Sequence, residues 1–424
     1  MPGTQACIQN SRWTTVNLKN TLLPNGPWEF SLANNSRSYL NLKKTYLIIT
    51  FQILDEGGNE ITMVDSGGNV VHKYAPINNI GHSIVKNFTL HINSQLAYHN
   101  SDNYAYKSYL ETTLTHPDHI KNSTLTAAGY YFDEKIGAAG TGYLSRCELV
   151  QNGKMCQVAA NISIDLMNQR RPLINSCNVK LTAYPNSAKF LIESINDPVQ
   201  KTQYQLKVHD VYALVNEIDL VDGLTNELEA ALIEHKMFQY PMISSQVRSF
   251  YIEANRSDAP ANTLFTSKMP RRMFIGLVSQ EAFNGSYHTS PFDFKPYGVS
   301  DIHIDFCGMT IPGRPMNLDY EGGKYIEAFV QLQETCGHTR NETSCNSINR
   351  KMFKDDGYTI YGFELSPVAQ DNSLFELVRQ TNVSVRINFK EKTPPNGLYC
   401  IVYAEFDQII SIDFMRNPII DTIV

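Results

Sequence analysis

The chain has 424 residues, a formal net charge of −6 and a charged fraction of 18%. That length supports two or three domains, and that charge excludes a surface built to grip nucleic acid along its whole length. No stretch approaches the roughly 18 uninterrupted apolar residues of a membrane-spanning helix. The N-terminus, Met1-Pro2-Gly3-Thr4-Gln5-Ala6-Cys7, carries neither the basic nor the apolar region of a secretory signal, so synthesis in the cytosol is expected. Eight cysteines without a CxxC pair then read as buried or incidental thiols. The N-x-S/T sequons, Asn87-Phe88-Thr89 among them, read as silent.

In chain order, β signals dominate. Lys44 to Leu54 is a near-continuous run of β-branched and aromatic residues, which predicts a strand buried on both faces. Two Gly-Gly turns, Asp55-Glu56-Gly57-Gly58 and Asp65-Ser66-Gly67-Gly68, enclose Ile61 to Val64 and predict a projecting hairpin. Val85 to Ile92 alternates as a strand. Asn103 to Thr115 follows with Tyr106, Leu110 and Leu114 at four-residue spacing, a short amphipathic helix. Thr115 to Lys154 shows little periodicity and reads as a long loop. Strands are predicted at Gln157 to Asp165, Asn178 to Tyr184, Ala188 to Glu193 and Tyr204 to Leu220, the last long enough to need a bend or bulge. Leu228, Ala231, Leu232 and His235 mark a helix within Val221 to Lys236, with Asp222 or Thr225 as its cap. Beyond it come strands at Val247 to Ala254, Arg272 to Val278 and Val299 to Phe306, a helix at Lys324 to Leu332, and an irregular polar insertion at Gln333 to Asp356. A strand at Tyr358 to Leu365, a helix at Ser373 to Arg379, and strands at Val383 to Phe389 and Tyr399 to Phe414 complete the chain.

This order of elements runs twice. Val85, Phe88, Leu90 and Ile92 recur as Val299, Ile302, Ile304 and Phe306, 214 positions later. Tyr109-Leu110-Glu111 is echoed by Tyr325-Ile326-Glu327 at an offset of 216, and Asn178-Val179-Lys180-Leu181 by Asn382-Val383-Ser384-Val385 at 204. Offsets that drift only by loop-sized amounts indicate two copies of one domain. The expected fold is all-β: two tandem eight-stranded jelly-roll β-sandwiches, a double jelly roll, with short helices in the loops. Residues 1–220 would form the N-terminal roll, 221–236 a connecting helix and 237–424 the C-terminal roll.

Two segments carry a family resemblance. Tyr104-Ala105-Tyr106-Lys107-Ser108-Tyr109-Leu110-Glu111-Thr112-Thr113-Leu114, and Asp165-Leu166-Met167-Asn168-Gln169-Arg170-Arg171-Pro172-Leu173-Ile174 ahead of the Asn178 strand, resemble the major capsid protein of Polinton (Maverick) elements and related adintoviruses. That family carries a similar tyrosine-rich helix and a similar Asp-Leu-x-x-Gln-x-x-x-Leu turn. The resemblance implies a structural protein of the virion, made in the host cytoplasm, with no enzymatic activity and no cofactor. Three subunits would form a pseudo-hexagonal capsomer, because two similar rolls per chain give six similar corners per trimer. Implied partners are identical subunits, neighbouring capsomers, penton and minor capsid proteins, and double-stranded DNA enclosed non-specifically by an icosahedral shell. The alternative is a β-sandwich binding module or minor capsid component that recognises a glycan or receptor.

Catalytic and metal-binding patterns are weak beside this. Gly137-Ala138-Ala139-Gly140-Thr141-Gly142 has the glycines of a phosphate cradle, but no strand leads into it and no Gly-Lys-Ser/Thr closes it. Cys336, His338 and Cys345 match no common zinc spacing. There is no HExxH and no GxSxG elbow, and no carboxylate pair is singled out for glycoside chemistry. Arg170-Arg171 and Arg271-Arg272 each adjoin a proline and sit at a turn or strand end. They read as solvated loop charge, as subunit contacts through the planar guanidinium fork, or as contacts to packaged DNA.

Overall fold

The structure, a computed structural model, describes residues 5–33, 37–63, 71, 73–99, 102–195, 203–266, 268–339, 346–367, 375 and 381–420. Its first eight main strands are β1 (Ile8–Asn17), β2 (Trp28–Ala33), β3 (Ser38–Asp55), β4 (Val85–Ile92), β5 (Gln95–His99), β6 (Cys156–Asn161), β7 (Asn178–Pro185) and β8 (Tyr204–Leu220). The next eight are β9 (Phe238–Ile252), β10 (Asp258–Phe265), β11 (Arg272–Ser279), β12 (Val299–Phe306), β13 (Met309–Ile311), β14 (Ile360–Glu364), β15 (Val383–Phe389) and β16 (Leu398–Ile412). Four longer helices are α1 (Tyr104–Thr115), α2 (Thr141–Val150), α3 (Asp222–Ile233) and α4 (Ile326–Cys336).

The strands form four antiparallel sheets, ordered β1-β8-β3-β6 and β2-β7-β4-β5, then β9-β16-β11-β14 and β10-β15-β12-β13. Adding eight to every label of the first pair of sheets yields the second pair. In each set the first strand pairs with the last, as in a jelly roll, so the expected double jelly roll is the observed fold. Alternation explains the faces: Leu47, Ile49, Phe51 and Ile53 of β3 point inward with Val211, Ala213 and Val215 of β8, and all are buried. In the second roll Met273, Ile275 and Leu277 pair with Ala404, Val402 and Cys400 in the same way. Each such aliphatic side chain contributes roughly 1.5–3 kcal/mol on burial. The long strand β8 does bend, with register shifts at Val208/Asp210 and Val215/Asn216.

Several local expectations change. Thr115 to Lys154 is not a loop, because it contains α2, the short helix Asp118–Lys121 and two 3₁₀ turns. The signal was present: Tyr143, Arg146, Cys147 and Val150 are buried at helical spacing. Ala188 to Glu193 is a turn of helix, Ala188–Leu191, followed by a two-residue strand, because so short an apolar run fits either period. The polar strand β10, with a bulge-disrupted register, lacks a clean alternation and escapes the sequence reading. The second Gly-Gly turn, Cys345 and all of Ser373 to Arg379 except Phe375 lie outside the described residues. Tyr109 and Tyr325 both belong to helices that follow a hairpin, yet Tyr109 is mid-helix while Tyr325 is the N-cap of α4. α3 begins after Val221 with no side-chain cap, and Leu232 is its fully buried residue. Among the described residues no helix is long and apolar enough to cross a membrane.

α4 lies flat on β14. A β-carbon at Gly362 would sit 2.8 Å from Thr335 Oγ1 and 3.0 Å from the Leu332 backbone, so only glycine allows this approach. Gly362→Ala should therefore cost about 1–3 kcal/mol by overpacking. The expected readout is a lower urea midpoint with an unchanged slope.

Candidate functional site

The seam between the two rolls gathers most of the polar and aromatic side chains with unusual surroundings. Its centre is α1, in which ten of twelve residues are buried. One face of α1 packs on its own roll, as in the edge contact of Tyr104 with Phe88 at 4.7 Å. The other face is covered by the second roll. Tyr109 stacks on Phe292 at 3.9 Å, Tyr106 on Phe283 at 5.9 Å, and Phe283 on Tyr399 at 3.8 Å. Such offset and edge contacts add to the area these rings remove from water. Asn103, the N-cap of α1, turns its amide away from the helix and donates to Ser249 of β9 at 3.3 Å.

A polar network threads this apolar seam. Lys107 has no exposed side-chain surface and places its ammonium 2.7 Å from Glu111, 3.0 Å from Asp165 and 2.7 Å from the Ser163 carbonyl. Ser245 of β9 donates its N–H to Asp165 at 2.9 Å, and its hydroxyl lies 2.8 Å from Asp165 and 3.1 Å from Glu111. The Tyr403 hydroxyl of β16 sits between Glu111 at 3.2 Å and Glu405 at 3.1 Å. Arg272 then grips Glu405 through two nitrogens at 2.6 and 3.0 Å and donates to the Thr335 carbonyl of α4. Burial pushes Asp165 above the usual carboxylate range, partly offset by Lys107. Burial acts on Glu111 in the same sense, but Lys107 with the Ser163 and Ser245 donors holds it below that range. For Lys107 burial works against the charge, yet Asp165 and Glu111 hold it well above its ordinary value. A second ionic cluster lies nearby, where buried Arg146 contacts Asp133 at 2.8 Å, Glu193 at 2.9 Å and the Pro76 carbonyl at 3.0 Å.

A cleft of about 1050 Å³ opens over the first network. It brings three of the four sequence-selected arginines, Arg170, Arg171 and Arg272, to one place. Arg271 does not line it; its side chain is 2% exposed and meets Asp407 at 2.6 Å. Arg272 is likewise committed inside the chain, to Glu405. Arg170 and Arg171 are exposed, and Arg171 donates to the Gln239 carbonyl across the seam at 3.0 Å. Sequence reasoning missed Lys107, Glu111, Asp165 and Ser245 as a group. The available signal was a Lys–Glu pair four apart on an otherwise aromatic helix.

Other sequence candidates lead elsewhere. Gly140 is the N-cap of α2, so the glycine-rich stretch opens a helix rather than a phosphate loop. Cys336 accepts from Asn346 at 3.7 Å and His338 contacts the Leu114 carbonyl at 2.8 Å. Among the described residues no group of three or more His, Cys, Asp or Glu could hold a metal ion. Asn87 is 6% exposed, so its sequon is closed in the folded chain.

Two consequences can be measured. Lys107→Met leaves Glu111 and Asp165 buried without their cation, and should cost about 3–5 kcal/mol in urea unfolding. His82 is buried with Nδ1 3.1 Å from the Tyr104 hydroxyl, which itself accepts from the Ser163 N–H. Burial holds His82 down to about 4, with smaller contributions from Glu111, Lys107 and His116. Its neutral form therefore stabilises the fold fully above the unfolded value near 6.5, and this is lost as pH falls through about 4. The loss is about 3 kcal/mol, and His82→Gln should show a correspondingly flatter dependence of unfolding free energy between pH 7 and pH 4.

No family model matches the sequence. The chain is 69% identical over 425 residues to a Caenorhabditis elegans protein described as Uncharacterized protein F54H12.2, with all of both chains covered. Among solved structures it is similar to a chain of the Sputnik virophage, with a TM-score of 0.66 and 10% identity over 100% of this chain and 91% of that one. The mavirus major capsid protein gives 0.57 and 12% over 97% and 90%, and the Faustovirus major capsid protein 0.57 and 6% over 96% and 92%. At these identities the likeness establishes the fold. The chain thus belongs to the family of the Caenorhabditis elegans protein F54H12.2, and that family has the double jelly-roll fold.

Proposed function

We propose that the protein is a non-enzymatic major capsid protein of the Polinton and adintovirus kind, whose work is assembly into a shell. The observation that carries this reading is the duplication itself: eight strands, then the same eight in the same sheet order. Two like rolls per chain let three chains imitate a hexagon, which tiles the facets of a shell with one kind of subunit and leaves the vertices to a penton protein. The fold likeness to the mavirus and Faustovirus major capsid proteins supports it. In this reading residues 1–220 and 237–424 are the two rolls, 221–236 joins them, and the shell encloses double-stranded DNA in the virion. Identical subunits are the first partners, with neighbouring capsomers, penton and minor proteins beyond. Arg170 and Arg171, exposed at the cleft, are the pair best placed to meet another subunit or the packaged DNA. Arg271 and Arg272, already paired within the chain, act in this reading by holding the second roll in shape for such contacts.

Light scattering on a gel-filtration column, followed by negative-stain imaging, tests the proposal. The expected species is a trimer with a hexagonal outline. A stable monomer at high concentration, with an aromatic cleft that binds glycan, would favour the binding-module alternative instead.

A further inference from the structure

Within the seam, α1 meets the second roll partly through the outer face of one sheet. In the second roll, Ser245 and Val247 of β9 and Tyr403 and Glu405 of β16 share the outer face of the larger sheet. All four are at most 5% exposed, and Ser245, Tyr403 and Glu405 belong to the network that α1 anchors. α1 leaves the first roll between β5 and β6, and α4 leaves the second roll between the equivalent strands β13 and β14.

The matching surfaces at the two ends of this arrangement stay open. On the first roll the register puts Thr15, Leu214 and Tyr46 side by side, with Trp13 and Tyr212 on the same outer face. Trp13 is 49% exposed, its ring 6.0 Å from that of Tyr46, and neither Tyr46, Tyr212 nor Leu214 is buried. On α4, Ala328 and Leu332 face inward, while Ile326 and Val330, one turn apart, are 37% and 46% exposed. α1 shows no such stripe, because a sheet covers it.

We propose that α4 of one copy docks through Ile326 and Val330 on the Trp13 sheet face of a second copy. The contact repeats between chains what α1 and the β9/β16 face make within one chain. It is head-to-tail, joining two different patches, so it propagates until a ring closes. This inference rests on the capsomer reading, which supplies the ring of three. It adds which faces meet.

The test uses the full chain. Trp13→Arg and Val330→Glu, each alone, should weaken self-association by about thirtyfold or more, as loss of a central interface anchor does. The monomers should keep wild-type circular dichroism. Because the two positions face each other, the double variant Trp13→Arg/Val330→Glu should recover most of the assembly, which a variant that merely misfolds cannot do. A photo-crosslinking residue in place of Trp13 should link to the α4 peptide, and in a mixture of light and heavy chains the link should join one of each. Assembly that survives both single variants, or crosslinks that map away from α4, overturns the docking while leaving the capsomer reading intact. A wild-type chain that stays monomeric overturns both.

Discussion

The constraint on which the rest of the molecule depends is a single ammonium group with no access to water. Lys107 sits at the middle of α1 inside a wall of tyrosine and phenylalanine, and a bare cation there would cost several kcal/mol. Its two carboxylates come from its own helix and from the turn that precedes β7. Those carboxylates in turn need donors, and Ser245 and Tyr403 of the other roll supply them. The charge therefore fixes not just a helix but the docking of one roll on the other. The aromatic stacks beside it contribute apolar area without choosing a register, whereas the hydrogen bonds accept one geometry.

Duplication did not produce two identical halves. The sheets correspond strand for strand, because antiparallel pairing and alternating side chains leave little freedom once eight strands close on themselves. The helices that leave those sheets diverged. α1 is aromatic and charged and lies beneath a second roll; α4 is aliphatic on its outer side and rests on the edge of its own roll, where Gly362 lets it come close. A shared frame with unlike helices is what makes the two ends of the chain different, and with them any contact it forms in series.

Much of the frame was legible in the residues. Alternation in Val85 to Ile92 and Val383 to Phe389, the long apolar runs of β3 and β8, and the repeat offsets all carry strong period-two signals, and the structure has strands at each. What escaped was local or distant. α2 was hidden because glycine, threonine and serine surround its helical stripe. Ala188–Leu191 was too short to show a period. Lys107, Glu111 and Asp165 could not be joined by spacing alone, since Asp165 is 54 residues beyond Glu111 and Ser245 lies in the other roll. Arg271 and Arg272 looked like surface charge because nothing nearby in sequence announces Asp407 and Glu405, which pairing of β11 with β16 brings beside them.

The reach of the seam in sequence also orders events in time. The hydroxyl that completes Glu111 belongs to Tyr403, 292 residues later, and the carbonyl that receives Lys121 belongs to Asn346, 225 residues later. On the ribosome the first roll is finished while the sheet that will cover α1 is still unmade. During that interval the face of α1 that carries Tyr106 and Tyr109, and the Glu111 carboxylate that awaits Ser245 and Tyr403, lack their partners from the second roll. Docking of the second roll then removes the water, so the last strands made are the ones that lock the first helix. A chain stopped short of β16 would lack the Tyr403 hydroxyl that meets Glu111 and the strand on which β9 pairs.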